Sequence, residues 1–186
     1  MSTKEEKSDG KTVLIISSSP RKGGNTEQLC DSFAKGAKEA GHKVQEVRLA
    51  DKTIGFCCGC HTCQSSGKCH KDDDVDPILR EMLAADVIAL ATPVYFYTMT
   101  AQLKALIDRS VAVYPNIKNK TFYYIMAMAD TQKEMFKGTV EALNGFLACC
   151  EGSTVAGMIQ AAGVYEKGDI AGKPALDEAY QMGKRL

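Results

Sequence analysis

Apolar residues follow two rhythms along this chain. Short runs rich in β-branched and aromatic residues predict strands at Thr12–Ser19 (TVLIISSS), Lys43–Leu49 (KVQEVRL), Asp86–Thr92 (DVIALAT), Thr121–Ala129 (TFYYIMAMA) and Thr154–Ala162 (TVAGMIQAA). The second run alternates and is expected near a sheet edge; the third is apolar on both faces, as in a buried parallel strand. Between them, apolar positions recur at helical spacing. Leu29, Phe33, Ala37 and Ala40 mark one stripe, and Ile78, Leu79, Met82 and Leu83 a second. Leu103, Leu106 and Ile107 follow, then Met135, Val140, Leu143 and Leu147, and finally Leu176, Ala179 and Met182. Boundary residues agree with this division. Asn25 with Gln28 reads as a capping pair, Gly41 as a stop, Asp76–Pro77 and Thr100 as helix starts, Pro93 as a strand end and Pro174 as a helix start. Residues 50–73 keep neither rhythm, and an irregular interval of that length in a compact domain is usually functional.

Five strands alternating with helices predict an α/β fold, a doubly wound five-stranded parallel sheet in a three-layer α/β/α arrangement. With strand order 2-1-3-4-5, strands one and three are neighbours across the switch point, and ligands bind beyond their carboxyl ends. The length, 186 residues, suits one domain, expected over residues 11–186 after a disordered tail at 1–10. Charge adds an exclusion: 23 basic and 23 acidic residues leave no net charge, against nucleic-acid binding driven by bulk charge. No apolar run approaches the ~20 residues that span a bilayer, and Met1–Lys11 has no apolar core of a signal peptide. A cytoplasmic protein without membrane contact is expected.

Candidate chemistry lies where the fold rule directs. The first strand is followed by Ser17-Ser18-Ser19-Pro20-Arg21-Lys22-Gly23-Gly24-Asn25-Thr26, leading into a helix. Ser19, Arg21, Asn25 and Thr26, with the N–H groups of the helix start, suit a phosphate dianion. The alternative is a polar surface turn in which Asn25 merely caps. The loop is neither a Walker A sequence nor G-x-G-x-x-G, so a tightly held dinucleotide is not expected. After the third strand come Pro93, Val94, Tyr95, Phe96 and Tyr97. Pro93 stiffens the turn, the following N–H groups are placed to bond a ring, and the aromatics to wall it. The alternative puts all three aromatics in the core or at a subunit contact, and at least one is expected there, because neighbouring residues cannot all face one ring.

Five of the eight cysteines lie between Cys57 and Cys69. Cys57, Cys60, Cys63 and Cys69 form C-x₂-C-x₂-C-x₅-C, with Cys58 as an extra thiol; four converging thiolates can hold an iron–sulfur cluster. Three readings stand: a [4Fe–4S] cluster, no metal, or zinc. His61 and His70 read as solvated loop residues, Cys30 as an inert buried thiol and Cys149–Cys150 as packing. Asp72–Asp74 reads as a solvated charge run before a helix.

SSSPRKGGNTEQL, ADVIALATPVYFYTMTAQLKALIDR and the later GVYEKGDIAGKPALDEAYQMGK resemble the flavodoxin-like NAD(P)H-dependent FMN reductases, in particular the iron–sulfur flavoproteins and their cluster-free relatives. The resemblance runs from about Lys11 to the end. It implies a flavodoxin-like fold and bound FMN, with the phosphate against Ser19, Arg21, Asn25 and Thr26 and the isoalloxazine against Pro93, Val94, Tyr95 and Phe96. Ala129–Asp130 is expected to reach the ring as well. Ser18 stands where the family usually has glycine. The cysteine spacing is similar to the family's cluster motif, but cluster-free relatives also carry cysteines there. The resemblance implies NAD(P)H as transient co-substrate, a quinone, flavin, metal or protein acceptor, and a homo-oligomer (dimer or tetramer). No catalytic acid or base is expected, because the chemistry belongs to the cofactor. The rival readings are an electron carrier exchanging electrons with ferredoxin-type partners, and a cysteine-based metal-binding or redox-sensing module.

Overall fold

The computed structural model describes residues 10–186, so apart from Gly10 the expected tail lies outside the described residues. β1 (Thr12–Ser17), β2 (Lys43–Arg48), β3 (Val87–Pro93), β4 (Thr121–Ala127) and β5 (Thr154–Ala161) form one parallel sheet in the order β2-β1-β3-β4-β5. This is the flavodoxin-like arrangement expected, and the alternating strand side chains show why it holds. Leu14 and Ile16 of β1, Ile88 and Leu90 of β3, and Phe122, Tyr124 and Met126 of β4 face one core. Val13 and Ile15, Val87, Ala89 and Ala91, and Tyr123 and Ile125 face the other. Strands buried on both sides read as continuous apolar runs.

α3 (Val75–Ala84), α4 (Ala101–Arg109) and α5 (Lys137–Leu147) contribute to the first core, and α1 (Asn25–Glu39) and α6 (Pro174–Lys184) to the second. α2 (Thr62–Ser66) is a single short turn within the cysteine interval. α1 and α6 touch backbone to backbone. A Cβ on Gly36 would stand 2.1 Å from the Tyr180 carbonyl oxygen, and one on Gly183 the same distance from that of Phe33.

The local signals held unevenly. Thr100 caps α4, its hydroxyl accepting from the Leu103 N–H at 3.4 Å, and Gly41 follows α1 at φ +90°. Asn25, by contrast, lies inside α1: Gly24 holds the cap position, and the Glu27 carboxylate reaches back to the Gly23 N–H. α3 starts one residue before Asp76, at Val75, whose N–H bonds Asp73. The solvated reading of Asp72–Asp74 fails at Asp73, which is buried against Arg109. A stretch of acidic residues reveals a buried member only through its distant partner.

Candidate functional site

The crest between β1 and β3 is tied by hydroxyls. Ser18 is fully buried, and both its N–H and its hydroxyl donate to the Ala91 carbonyl at 2.9 Å. Thr92 Oγ accepts the Thr100 N–H at 3.0 Å. The serine at the expected glycine position is therefore accommodated by β3.

From this crest the phosphate-type loop enters α1. Among the described residues the N–H groups of Asn25, Thr26 and Glu27 make no backbone hydrogen bond, leaving donors and partial positive charge at the helix start. Gly23 supplies φ +64°. The Ser19 hydroxyl accepts the Arg21 N–H at 3.3 Å, and Arg21 reaches across to donate to the Tyr165 carbonyl at 2.7 Å. Asn25 points its amide away from the helix start. It donates to the Glu166 carbonyl at 2.8 Å and accepts from the Gly168 and Ile170 N–H groups at 3.0 and 3.3 Å. Its side chain thus pins the segment after β5 rather than capping. That segment carries Lys167 over the loop, its Nζ 3.3 Å from where a Cβ on Gly23 would stand.

The aromatic turn after β3 is strained. Phe96 and Tyr97 have φ +48° and +61°, a region L side chains avoid. Tyr95 and Thr98 close the turn through mutual hydrogen bonds of 3.0 and 3.2 Å. None of the three aromatics enters the core: Tyr95 is 42% exposed, Tyr97 55% and Phe96 101%. The backbone donors differ from expectation. The Val94 N–H is taken by the Ala127 carbonyl at 2.8 Å and that of Tyr95 by Thr98, whereas the Phe96 N–H has no acceptor among the described residues. Positive φ, full exposure and a free donor at the tip are the pattern of a turn held for function.

These pieces form one cleft of about 210 Å³. Ser19, Arg21, Asn25, Thr26, Pro93, Val94, Tyr95 and Phe96, all eight expected residues, line it together. Ala127, Ala129, Val164 and Tyr165 complete the lining. Asp130, expected beside Ala129, meets the Tyr97 hydroxyl at 3.5 Å. The sequence reading missed Tyr165. Its signal was positional: it follows the fifth strand, at the carboxyl edge where ligands collect.

A second cavity, of about 370 Å³, lies at the cysteine interval. Cys57, Cys60, Cys63 and Cys69 all line it, with Cys58, His61 and His70. Cys63 is buried; burial, then the neighbouring Cys69, Cys60 and Cys57, push its thiol pKa up. Cys60 is exposed, and hydrogen bonding to Thr62, with Cys58 and His70 adding, pulls its pKa down to about 6. Cys58, Cys60 and His70 come within 4.8 Å of one another, and the expected four do not reach that spacing. His61 and His70 are exposed, as read, although His70 Nδ1 lies 3.5 Å from Cys60 Sγ. The interval is anchored below by Arg109, which donates to both Asp73 oxygens at 2.7 and 3.0 Å and to the Gly55 carbonyl at 2.7 Å. Burial opposes the charge on Asp73, but Arg109 and the Gly55 and Val75 N–H groups hold its carboxyl below the ordinary range.

Among the described residues no helix is long and apolar enough to cross a membrane. The chain is 47% identical over 98 residues to an iron-sulfur flavoprotein of Methanocaldococcus jannaschii, a match covering 53% of this chain and 51% of that protein. It is 38% identical over 112 residues to one of Archaeoglobus fulgidus, covering 59% and 50%. The chain thus matches about half the length of these curated relatives. An NAD(P)H:quinone oxidoreductase from Methanothermobacter marburgensis shares the fold at TM-score 0.78 with 18% identity, over 95% of this chain and 96% of that one. The pattern of the NADPH-dependent FMN reductase family matches residues 12–162, and the chain belongs to that family.

Proposed function

We propose that the protein is an FMN-dependent oxidoreductase that passes electrons from NAD(P)H to a quinone, flavin, metal or protein acceptor. The observation that carries this reading is the meeting of two separate loops, after β1 and after β3, in one cleft beside the start of α1. The residues suit FMN. Unbonded N–H groups of α1, with Arg21, Ser19 and Thr26, would hold the phosphate, and Lys167 would add a second cation nearby. Pro93, Val94 and Tyr95 wall the ring, and the Phe96 N–H is the free donor toward its polar edge. Bound FMN accepts a hydride and releases electrons singly or in pairs. This chain's residues would hold the group at the crest, with the exposed aromatic turn beside it.

At the cysteine cavity, an iron–sulfur cluster on Cys57, Cys60, Cys63 and Cys69 is the reading favoured. It is supported by four thiols lining one cavity and by the names of the relatives. Zinc would take Cys58, Cys60 and His70 most readily, since those three already lie together.

The test is to purify the full chain without oxygen, analyse flavin, iron and sulfide, and follow NAD(P)H oxidation with added quinone. Bound FMN with turnover is expected. FMN without turnover favours the electron carrier, and protein that takes no flavin when FMN is added overturns the proposal.

A further inference from the structure

Among the described residues Arg109 is the largest fully buried side chain that carries a charge, 1% exposed, and its Nε has no hydrogen-bond partner there. A buried charged N–H without an acceptor is costly and calls for an occupant or a strong field nearby. Its surroundings supply a direction. Arg109 lines the cysteine cavity, and Asp73, its partner, does not. Burial opposes the charge on Arg109; Asp73 and then Cys69, within hydrogen-bonding reach of the guanidinium, favour it. The ion pair is therefore polarised, with the cation toward the thiols and the anion behind. Asp73 in turn holds the Gly55 N–H at 3.0 Å and the Val75 N–H at 3.2 Å, fixing the pair to both ends of the interval.

Four thiolates carry more negative charge than a single divalent ion or a doubly charged four-iron core, so such a centre is anionic. A buried cation on one side of it stabilises that charge, and low local dielectric strengthens the effect. Lys71 and His70 also line the cavity, but His70 is exposed and Lys71 only half-buried, so water screens them more.

We propose that Arg109 is a positioning residue for an anionic metal–thiolate centre in this cavity, that it raises the centre's reduction potential, and that Asp73 opposes it from behind. The inference rests on the cluster reading above and goes beyond it by assigning the charge that tunes the centre. Arg109 supplies no ligand and no proton. Its effect is on the energy of one added electron, delivered in the test by dithionite.

The experiment titrates the potential of the anaerobically reconstituted full chain, with iron and sulfide content measured in parallel. Two variants should move it in opposite directions. Arg109→Gln removes the cation and lowers the potential. Asp73→Asn removes the opposing anion and raises it, while Asn keeps an acceptor oxygen for one of the two loop N–H groups. Arg109→Lys keeps the charge and stays closest to the parent. A purely structural pair would reduce iron content in both variants without opposite shifts, and that result overturns the proposal. If Arg109→Gln loses its iron altogether, Asp73→Asn and Arg109→Lys decide: no rise in the first, or a fall in the second as large as removing the charge, overturns it. A parent chain that takes no iron and sulfide fails the cluster reading itself, and the inference falls with it.

Discussion

The flavin cleft and the cysteine cavity are held in place by different physics. The cleft's walls continue directly from β1 and β3, which are paired in register from Val13↔Val87 to Ser17↔Ala91. Its loops are fastened by many individually modest bonds: Ser18 to Ala91, Thr100 to Thr92, Val94 to Ala127, Asn25 to three backbone groups. The cavity is drawn from an interval that joins no sheet, and its main buried tie to the body is the Arg109–Asp73 pair. One site inherits the rigidity of a core; the other leans on one buried ion pair and the hydrogen bonds gathered around it. Loss of one residue should therefore damage the second far more than the first.

Arg109→Met is the most severe test of that difference. It leaves Asp73 buried and unpaired, a change that costs about 3–5 kcal/mol. Urea unfolding should show that loss, and alkylation of the cysteines should quicken while FMN affinity changes little. If FMN affinity falls as steeply as stability, the two sites are one cooperative unit and the contrast fails. Acid provides a milder form of the same experiment. Asp73 has a folded pKa below its unfolded value of about 3.9, so its contribution is complete above that pH and disappears as pH falls through the lower folded value. Parent protein should lose stability below about pH 4 through this group. Arg109→Met with Asp73→Asn should lack that step.

In the cleft, Arg21→Ala should weaken FMN binding by about 1–3 kcal/mol, the scale of a lost charged hydrogen bond. Lys167→Ala should cost less, about 1 kcal/mol: both side chains are exposed and screened, but lysine lacks the planar fork that bonds a phosphate through two N–H groups. Titration of flavin fluorescence measures both, and riboflavin, which lacks the phosphate, is the control. Neither variant should abolish binding, since the helix N–H groups remain. Equal losses for FMN and riboflavin would move both residues away from the phosphate.

The two regions also differ in how far they could be read from the residues. The crest was legible because its determinants are local. Apolar runs mark strands, and the switch-point rule then selects the loops after the first and third, where all eight chosen residues meet. What escaped depends on partners remote in sequence. Asn25 looks like a cap until Glu166, 141 residues on, takes its amide. Asp73 looks solvated until Arg109, 36 residues on, buries it. The Val94 N–H looks free until β4 accepts it. Tyr165 and Lys167 lie in the GVYEKGDIAGK stretch that carries the resemblance, but nothing local to it points to a ligand, and it is the hydrogen bonds of Asn25 and Arg21 that bring that segment to the site. In the cysteine interval the spacing identified four thiols that share a cavity, but not that Cys58 and His70 gather with Cys60 within 4.8 Å.

The smallest effect expected is also the one that tests whether the cleft's turn is strained for a reason. Phe96 has φ +48° and is fully exposed, so its side chain contributes no packing within the chain to offset a backbone cost of about 1–2 kcal/mol. Glycine removes that cost but adds freedom to the unfolded chain worth about 0.5–1 kcal/mol. Phe96→Gly should therefore raise stability slightly, by about 0.5–1 kcal/mol, and raise Tm, while NAD(P)H turnover falls because the turn no longer presents a fixed donor and ring wall. The sign is what matters. If Phe96→Gly instead lowers stability, the exposed ring must be buried elsewhere, and a loss that grows with protein concentration would place it against a second copy of the chain.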